Sequence, residues 1–269
     1  MISFVGAGPG AADLVTIRGA QRLADAEVVI WASSLVPEAL LSHCKAGTDV
    51  HDSAVLTLED VIGIYGRHTD ATPIVRLHSG DPSIYGAVGE QIDWCLENGR
   101  SWEIVPGVSS VSAATAILGR ELTQPGISQS VVLTRLAGRT KASMAPGEGV
   151  ADFARHGSSM AVFLSGARPD ELAAELLSPQ SAYHPDTPAA IVIRATWPDE
   201  KLIRTTVGQL AQDLKATGTT LTVLVLVGDF LSEEPVARRS HLYSPEHTTA
   251  YRLRSVRGST AGRRSARRR

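Results

Sequence analysis

Cysteine is scarce in this sequence, which contains only Cys44 and Cys95 among 269 residues. Neither belongs to a C-x-x-C pair, so a disulfide framework is excluded and a reducing cytoplasm is the expected compartment. A long apolar run is also lacking, and the apolar residues 2–5 at the N-terminus have no basic segment before them. We therefore expect neither a signal peptide nor a membrane helix.

Several catalytic signatures are missing as well. No G-K-[ST] follows a glycine-rich turn, which excludes a Walker loop, and no serine is bracketed as G-x-S-x-G. The eight histidines are scattered without metal-ligand spacing, so no metal site is expected. The sequence by itself names no catalytic nucleophile, general acid or general base.

Charge is distributed unevenly although the net charge is only −2. Residues 232–269 contain ten arginines and three acids, a balance of +7, whereas the rest of the chain has 16 basic and 25 acidic residues, a balance of −9. A basic tail is compatible with a nucleic-acid or acidic partner. Because no nucleic-acid motif accompanies it, we expect a solvated, disordered tail and no nucleic-acid partner.

Hydrophobic periodicity predicts an α/β protein of two domains. Short apolar runs alternate with amphipathic stretches over the first hundred residues, which is typical of βα repeats around a mostly parallel sheet. Helices are predicted over residues 14–25, 35–41 and 57–65, the last with an N-terminal cap at Thr57. Turn residues and weak periodicity near residues 117–130 mark the predicted connection. We predict an N-terminal domain at 1–117, a C-terminal domain with a mixed sheet at 118–231, and the basic tail at 232–269.

Three turn-rich loops follow predicted strands of the first domain. They are Gly6-Ala7-Gly8-Pro9-Gly10, His78-Ser79-Gly80-Asp81-Pro82 and Pro106-Gly107-Val108-Ser109-Ser110. Loops at the carboxyl ends of parallel strands are where open α/β sheets bind ligands. The pattern predicts a site that holds a small polar reagent mainly through main-chain groups.

A dinucleotide site is one alternative, because residues 6–11 match G-x-G-x-x-A between a strand and a helix. Pro9 lacks the N–H that a pyrophosphate would need, and no acid closes the second predicted strand at Ala32 and Ser33. An oxidoreductase is therefore the second choice among enzymes. A non-catalytic ligand-binding module is the alternative outside enzymes.

The three loops together resemble those of the tetrapyrrole methylases, S-adenosylmethionine-dependent enzymes of corrin and sirohaem synthesis. In the second half, Phe163-Leu164-Ser165 and Ala195-Thr196-Trp197-Pro198-Asp199-Glu200-Lys201 resemble the precorrin-4 C11-methyltransferase branch of that family. The similarity extends from about residue 2 to residue 230. It implies two α/β domains around an interdomain cleft, a homodimer, and methylation of C-11 of precorrin-4.

Carried over by motif, the resemblance implies a pocket for S-adenosylmethionine and its product S-adenosylhomocysteine. Its residues would be Pro9, Ser79, Gly80, Asp81, Ile84, Ser109, Ser110, Leu164, Ala195 and Thr222. Asp81 would hold the cofactor and would not act as a base. Family members carry an acid just after the second strand, where Ala32 and Ser33 stand here, which leaves the proton-transfer residue unassigned.

The carboxylates of a tetrapyrrole require cations in the cleft. Arg135, Arg139, Lys141 and Arg194 are the candidates, and Trp197 is a candidate for stacking on the macrocycle. Surface ion pairs for the cations and domain-edge packing for Trp197 are the alternatives. The cobalt-loaded precursor and another ring carbon remain open as the substrate and the position of methylation.

Overall fold

The computed structural model describes residues 1–137, 142, 144–232, 244–250 and 252–255. Arg139, Lys141 and most of the predicted tail lie outside these residues. Two five-stranded sheets organise the described part of the chain. Within that part, every helix is too short or too polar to span a membrane.

The first sheet is entirely parallel, with the strand order β3-β2-β4-β1-β5. Its strands are β1 (Ile2–Gly6), β2 (Val28–Trp31), β3 (Asp49–Asp52), β4 (Ile74–His78) and β5 (Trp102–Val105). Helices of this half are α1 (Ile17–Asp25), α2 (Leu58–Gly66) and α3 (Gly89–Glu97). Separate apolar clusters cover the two faces of the sheet, which confirms the predicted βα architecture.

The second sheet is mixed and has the order β6-β7-β10-β8-β9, in which only β6 and β7 are parallel neighbours. Its strands are β6 (Val131–Arg135), β7 (Ser159–Phe163), β8 (Pro188–Ile193), β9 (Lys201–Thr206) and β10 (Val223–Val227). The remaining helices are α4 (Ser110–Leu118), α5 (Val150–Ala154), α6 (Pro169–Leu176) and α7 (Leu210–Ala216). A parallel sheet followed by a mixed one is the predicted fold class, and it is confirmed.

Helix α4 connects the halves. Its buried residues Val111, Ala114 and Leu118 pack against side chains of the second sheet, although the helix follows the last strand of the first. Sequence periodicity did not predict this helix. The chain therefore passes from the first half to the core of the second half at the loop before α4, and the domain boundaries stay a prediction.

Some predicted elements differ in detail. The helix expected over residues 14–25 begins only at Ile17, because the Thr16 hydroxyl accepts the Gly19 N–H at 3.1 Å and caps it there. The helix expected at 35–41 is a 3-10 segment, Glu38–His43. By contrast, α2 starts with the predicted cap at Thr57, which forms a capping box with Asp60.

Candidate active site

The turns after β1 and β4 pair with each other. Gly8 and Gly80 form an antiparallel bridge, in which Gly80 N donates to Gly8 O at 2.8 Å and Gly8 N donates to Gly80 O at 3.2 Å. Both glycines have positive φ, 81° and 63°, a region that other residues rarely adopt. The first two predicted loops therefore form one continuous backbone surface.

The third loop approaches this surface so closely that side chains are excluded. A Cβ atom on Gly6 would lie 2.5 Å from Gly107 Cα and 2.7 Å from Gly80 O. Only glycine permits backbone atoms to meet at such distances. The structure thus brings the three glycine-rich loops together at the carboxyl edge of the first sheet, as the sequence predicts.

Asp81 joins two of the loops. Its Oδ2 accepts the Gly107 N–H at 2.8 Å, and its Oδ1 accepts the Ser83 N–H at 2.8 Å and also the Ser83 hydroxyl. Burial raises the pKa of Asp81, but the hydrogen bonds from Ser83 and Gly107 outweigh it and hold the pKa below its ordinary value. A carboxylate has about four acceptor positions. Three are used within the loops, so Asp81 retains room for one further donor from a ligand.

The other N-terminal residues of the predicted pocket surround this junction. Ile84 N donates to Asp81 O at 3.1 Å, and a Cβ on Gly80 would lie 3.8 Å from both Ser109 Cα and Ser110 N. Ser109 is the N-cap of α4, and its hydroxyl accepts the Val111 N–H at 3.3 Å. Pro9 follows Gly8 in the first turn, and Ser79 precedes Gly80 in the second.

The C-terminal residues of the predicted pocket share one edge of the second sheet. Leu164 follows β7, Ala195 lies just beyond β8, and Thr222 precedes β10, which runs antiparallel to both strands. Leu164 and Thr222 have positive φ, 52° and 55°, and the Leu164 side chain is 65% exposed. Backbone strain of this kind clusters at ligand sites.

The two edges meet directly. Ala11 N donates to Thr196 Oγ1 at 2.8 Å, and Trp197 Nε1 donates to Pro9 O at 3.0 Å. Pro9, Ala195 and their surroundings therefore lie close together although they come from different halves of the chain. The predicted cofactor residues belong to one region of the molecule.

A family model of tetrapyrrole (corrin/porphyrin) methylases matches residues 1–211, which include all three glycine-rich loops. The chain belongs to the tetrapyrrole methylase family.

Among its relatives, a precorrin-4 C(11)-methyltransferase from Pseudomonas aeruginosa is 42% identical over 93% of this chain and 98% of its own length. A cobalt-precorrin-4 C(11)-methyltransferase from Methanocaldococcus jannaschii is also 42% identical, over 93% of this chain and 95% of its own length.

Solved structures of tetrapyrrole methylases show the same fold. The X-ray structure of a cobalt precorrin-4 methyltransferase has a TM-score of 0.81 and 39% identity, with 86% of this chain and 95% of that chain covered. A Thermus thermophilus uroporphyrin-III C-methyltransferase complexed with S-adenosylhomocysteine has a TM-score of 0.68 and 27% identity, with 86% of this chain and 98% of that chain covered.

The candidate substrate residues of this tetrapyrrole methylase differ in their surroundings. Arg135 ends β6 and lies close enough to Tyr85 for its charge to oppose the rise that burial causes in the tyrosine pKa. Arg194 forms an ion pair with Asp199 at 2.6 Å. This is the surface ion pair that the sequence predicts as the alternative to substrate binding. Trp197 contacts the first turn as described above, and its stacking on a substrate stays a prediction.

Arg76 is a residue that sequence reasoning missed. Its Nη1 donates to Ser53 Oγ at 3.0 Å and to the carbonyl oxygens of Ile30 and Leu77, while its Nε is buried without a partner. No carboxylate in the described part of the chain pairs with it, and burial lowers its pKa. A buried cation without a counter-ion is costly. An arginine inside the otherwise apolar run Ile74-Val75-Arg76-Leu77 was the available signal.

His78, at the end of β4, is held neutral. Burial and the nearby charge of Arg76 lower its pKa to about 3, and its Nε2 is buried without a partner. We therefore do not assign it as the proton-transfer residue. Among the residues that the structure describes, no group of three His, Cys, Asp or Glu side chains forms a possible metal site.

The shifted pKa of His78 predicts a pH effect on stability. An unfolded histidine takes up a proton near pH 6.5 but the folded one only near pH 3, so stability is lost as the pH falls through this window. Between pH 7.5 and 5.5 the loss should be about 1.4 kcal/mol. Urea unfolding of the wild type and His78→Phe at both pH values measures it. An equal decrease in both proteins contradicts the assignment.

A cavity of about 570 Å³ lies elsewhere, between the start of α6 and the end of α7. Its charged side chains pair with each other, Lys215 with Asp170 at 2.6 Å and Arg168 with Glu171 at 2.7 Å. The cavity has no residue from the glycine-rich loops. We therefore place the candidate site at the loops and not in this cavity.

Proposed function

We propose that this protein is an S-adenosylmethionine-dependent methyltransferase that methylates C-11 of precorrin-4, giving precorrin-5 in cobalamin biosynthesis. The observation that carries the proposal is the 42% identity over 93% of the chain to a precorrin-4 C(11)-methyltransferase. The convergence of all three glycine-rich loops supports it, because these loops are the part of the fold that the family resemblance assigns to the cofactor.

The residues present fit such a cofactor. Backbone groups of the paired turns, the remaining acceptor position of Asp81, and the exposed side chain of Leu164 offer polar and apolar contacts side by side. We propose that the pocket consists of Pro9, Ser79, Gly80, Asp81, Ile84, Ser109, Ser110, Leu164, Ala195 and Thr222.

The chemistry asks the protein mainly for alignment. When bound, S-adenosylmethionine supplies a methyl group already activated by its sulfonium. The chain must then hold the accepting ring carbon in line and exclude water, and alignment of this kind contributes about 7–11 kcal/mol in model reactions. Rigid backbone loops suit that task. Arg135 and Trp197 are the proposed substrate contacts from the described residues, and Arg139 is proposed from the sequence alone.

The test is the position of the transferred methyl group. The protein is incubated with ¹³C-methyl S-adenosylmethionine and precorrin-4, and the product is examined by carbon NMR. We expect one labelled methyl at C-11. A label on another carbon, or no transfer by a protein that binds S-adenosylhomocysteine, contradicts the proposal.

Cobalt-precorrin-4 is the second candidate substrate, because the Methanocaldococcus jannaschii relative named for it is equally identical to this chain. A parallel incubation with the cobalt-loaded precursor compares the two under identical conditions. We expect the higher kcat/KM for the metal-free compound. A higher value for the cobalt compound assigns the cobalt-loaded precursor as the substrate.

We also propose that Arg76, on the central strand β4, binds a carboxylate of the tetrapyrrole, because its buried Nε has no hydrogen-bond partner and no carboxylate in the described part of the chain pairs with it. Arg76→Met is expected to raise the KM for the tetrapyrrole about tenfold, because one charge-assisted hydrogen bond to the substrate is lost. Thermal stability should be unchanged or higher, since a buried charge is removed. Calorimetry with S-adenosylhomocysteine is the control, with affinity expected within about twofold of the wild type. An unchanged KM contradicts the role.

We also propose that the enzyme is a cytoplasmic homodimer, as the resemblance implies. Free Cys44 and Cys95 suit a reducing compartment. Trp102 and Ile104, on the edge strand β5, are 37% and 36% exposed and offer apolar surface for a partner. Light scattering should give twice the chain mass of 28.5 kDa. A mass of one chain at micromolar concentration contradicts the dimer.

A further inference from the structure

We propose that residues 194–200, which follow β8 and are called here the latch, hold the turn Gly8-Pro9-Gly10-Ala11 in its ligand-binding conformation. Thr196 and Trp197 are the positioning residues of the latch. The inference rests on the proposed function in one respect only, that this turn contacts the cofactor.

The latch binds the turn at two successive points. The Thr196 hydroxyl accepts the Ala11 N–H at 2.8 Å, and the Trp197 indole N–H donates to the Pro9 carbonyl at 3.0 Å. These contacts join residues 185 and 188 positions apart in the sequence. One bond satisfies a donor of the turn and the other an acceptor, so the turn is fixed in orientation as well as in position.

Gly10, between these two points, lies directly against the latch. A Cβ at this position would stand 2.7 Å from Trp197 Nε1 and 2.8 Å from Ala195 O. Contacts that close leave no space for any side chain. The turn and the latch are therefore complementary in shape as well as in hydrogen bonding.

The latch has a strained backbone that its own contacts maintain. Thr196 has φ of 66°, which is unusual for a β-branched residue and costs on the order of 1–3 kcal/mol. Its N–H donates to Glu200 Oε2 at 2.6 Å. The Arg194 guanidinium lies 4.0 Å from the centroid of the Trp197 ring and pairs with Asp199. Strain persists only where the surroundings determine it, and here it directs the Thr196 hydroxyl and the Trp197 indole at the turn.

The opposite side of the turn is held by the bridge between Gly8 and Gly80. The turn is thus fixed from both halves of the chain, by the Asp81 loop on one side and by the latch on the other. Loss of the latch frees one side, so a ligand has to order the turn when it binds. Cofactor affinity falls for that reason, although Thr196 and Trp197, unlike Ala195 of the latch, are not among the proposed pocket residues.

Matched variants of Thr196 test the hydrogen bond to Ala11. Thr196→Val keeps the β-branched shape and the backbone strain but removes the acceptor, whereas Thr196→Ser keeps the acceptor. Calorimetry with S-adenosylhomocysteine is expected to show about tenfold weaker binding for Thr196→Val and a change within about twofold for Thr196→Ser. The KM for the tetrapyrrole should stay near the wild-type value in both.

Trp197→Phe separates positioning from substrate stacking, because phenylalanine keeps an aromatic ring but cannot donate to Pro9. The latch predicts weaker S-adenosylhomocysteine binding by Trp197→Phe, because the donor to Pro9 is lost while the aromatic ring is kept. It also predicts that the Thr196→Val/Trp197→Phe double variant loses less affinity than the product of the two single losses, since both bonds hold one turn. A raised tetrapyrrole KM with unchanged cofactor affinity overturns the positioning role of Trp197.

Amide hydrogen exchange tests the latch without any ligand. The peptide that contains Gly8 to Ala11 should exchange faster in Thr196→Val than in the wild type or Thr196→Ser. Equal exchange in all three overturns the latch. If the wild type fails to bind S-adenosylhomocysteine, the proposed function is wrong, while the exchange measurement still decides the latch. Should Thr196→Val not fold, Trp197→Phe provides the same comparison.

Discussion

Gly107→Ala is expected to reduce the affinity for S-adenosylhomocysteine by more than about 100-fold, the equivalent of 2.7 kcal/mol or more. The new methyl carbon would stand 2.7 Å from Gly6 Cα and closer still to the carbonyl oxygen of Gly80. These are backbone atoms of the other two loops, which cannot move aside as a flexible side chain can. The three loops must separate, and the Gly107 N–H leaves its position on Asp81. Calorimetry measures the affinity, and urea unfolding should show a loss of about 3 kcal/mol.

Gly63→Ala is the matched control, because nothing lies within 4 Å of a Cβ at that position. Gly63 is inside α2, where alanine is expected to leave binding unchanged and to stabilise the protein by up to about 1 kcal/mol. If Gly107→Ala binds S-adenosylhomocysteine as the wild type does, the three loops do not form the cofactor pocket.

Asp81→Asn is expected to weaken S-adenosylhomocysteine binding by about 30- to 100-fold. Asp81 accepts from Gly107 N, Ser83 N and Ser83 Oγ, so both oxygens face N–H donors. An asparagine places its NH₂ group against one of these donors. The hydrogen bond that the carboxylate accepted there is lost, and the unsatisfied donors cost about 2–3 kcal/mol. Ser83→Ala is the control, since it removes one exposed donor and should cost at most about threefold.

The pH dependence of binding follows from the same contacts. The pKa of Asp81 is held below its usual range, so the carboxylate remains charged in the folded protein below the ordinary value of about 3.9. The contribution of the charged Asp81 side chain to binding is therefore complete above about pH 3.9, the ordinary pKa of the free side chain. It is lost only as the pH falls through the lower pKa of Asp81 in the folded protein. Between pH 8 and pH 5, calorimetry should therefore show no loss of S-adenosylhomocysteine affinity that is present in the wild type and absent in Asp81→Asn. Such a decrease contradicts the charge state assigned to Asp81.

Periodicity was sufficient for the central strands of the first sheet. The strands β1, β2 and β4 are short buried apolar runs, and the turns after β1, β4 and β5 carry glycines where the backbone requires them. Burial on both faces makes such strands recognisable from sequence. The edge strand β3 was missed because three of its four residues, Asp49, His51 and Asp52, are polar and the strand is largely exposed.

Helix α4 was missed for a different reason. Its residues are mainly serine and alanine, and its buried face is broad where the helix packs against the second sheet. A narrow stripe at three- and four-residue spacing is absent from such a helix. Its N-cap, Ser109, was assigned to the site from motif resemblance only.

The parts of the site that lie within local sequence motifs could be predicted. The contacts that depend on how the two halves of the chain pack against each other could not. The three loops were identified from turn residues and resemblance. The contact of Thr196 with Ala11, however, joins residues 185 positions apart and depends on how the halves pack. Spacing along the chain contains no information about it. Trp197 was singled out as an aromatic near the cleft, but its bond to Pro9 is visible only in the folded molecule.

A crystal structure with S-adenosylhomocysteine bound tests the central claim most directly. We expect the ligand at the junction of the three glycine-rich loops, in contact with the Asp81 loop on one side and with Leu164, Ala195 and Thr222 on the other. A ligand ordered in the cavity between α6 and α7, away from Asp81, would contradict the proposed site.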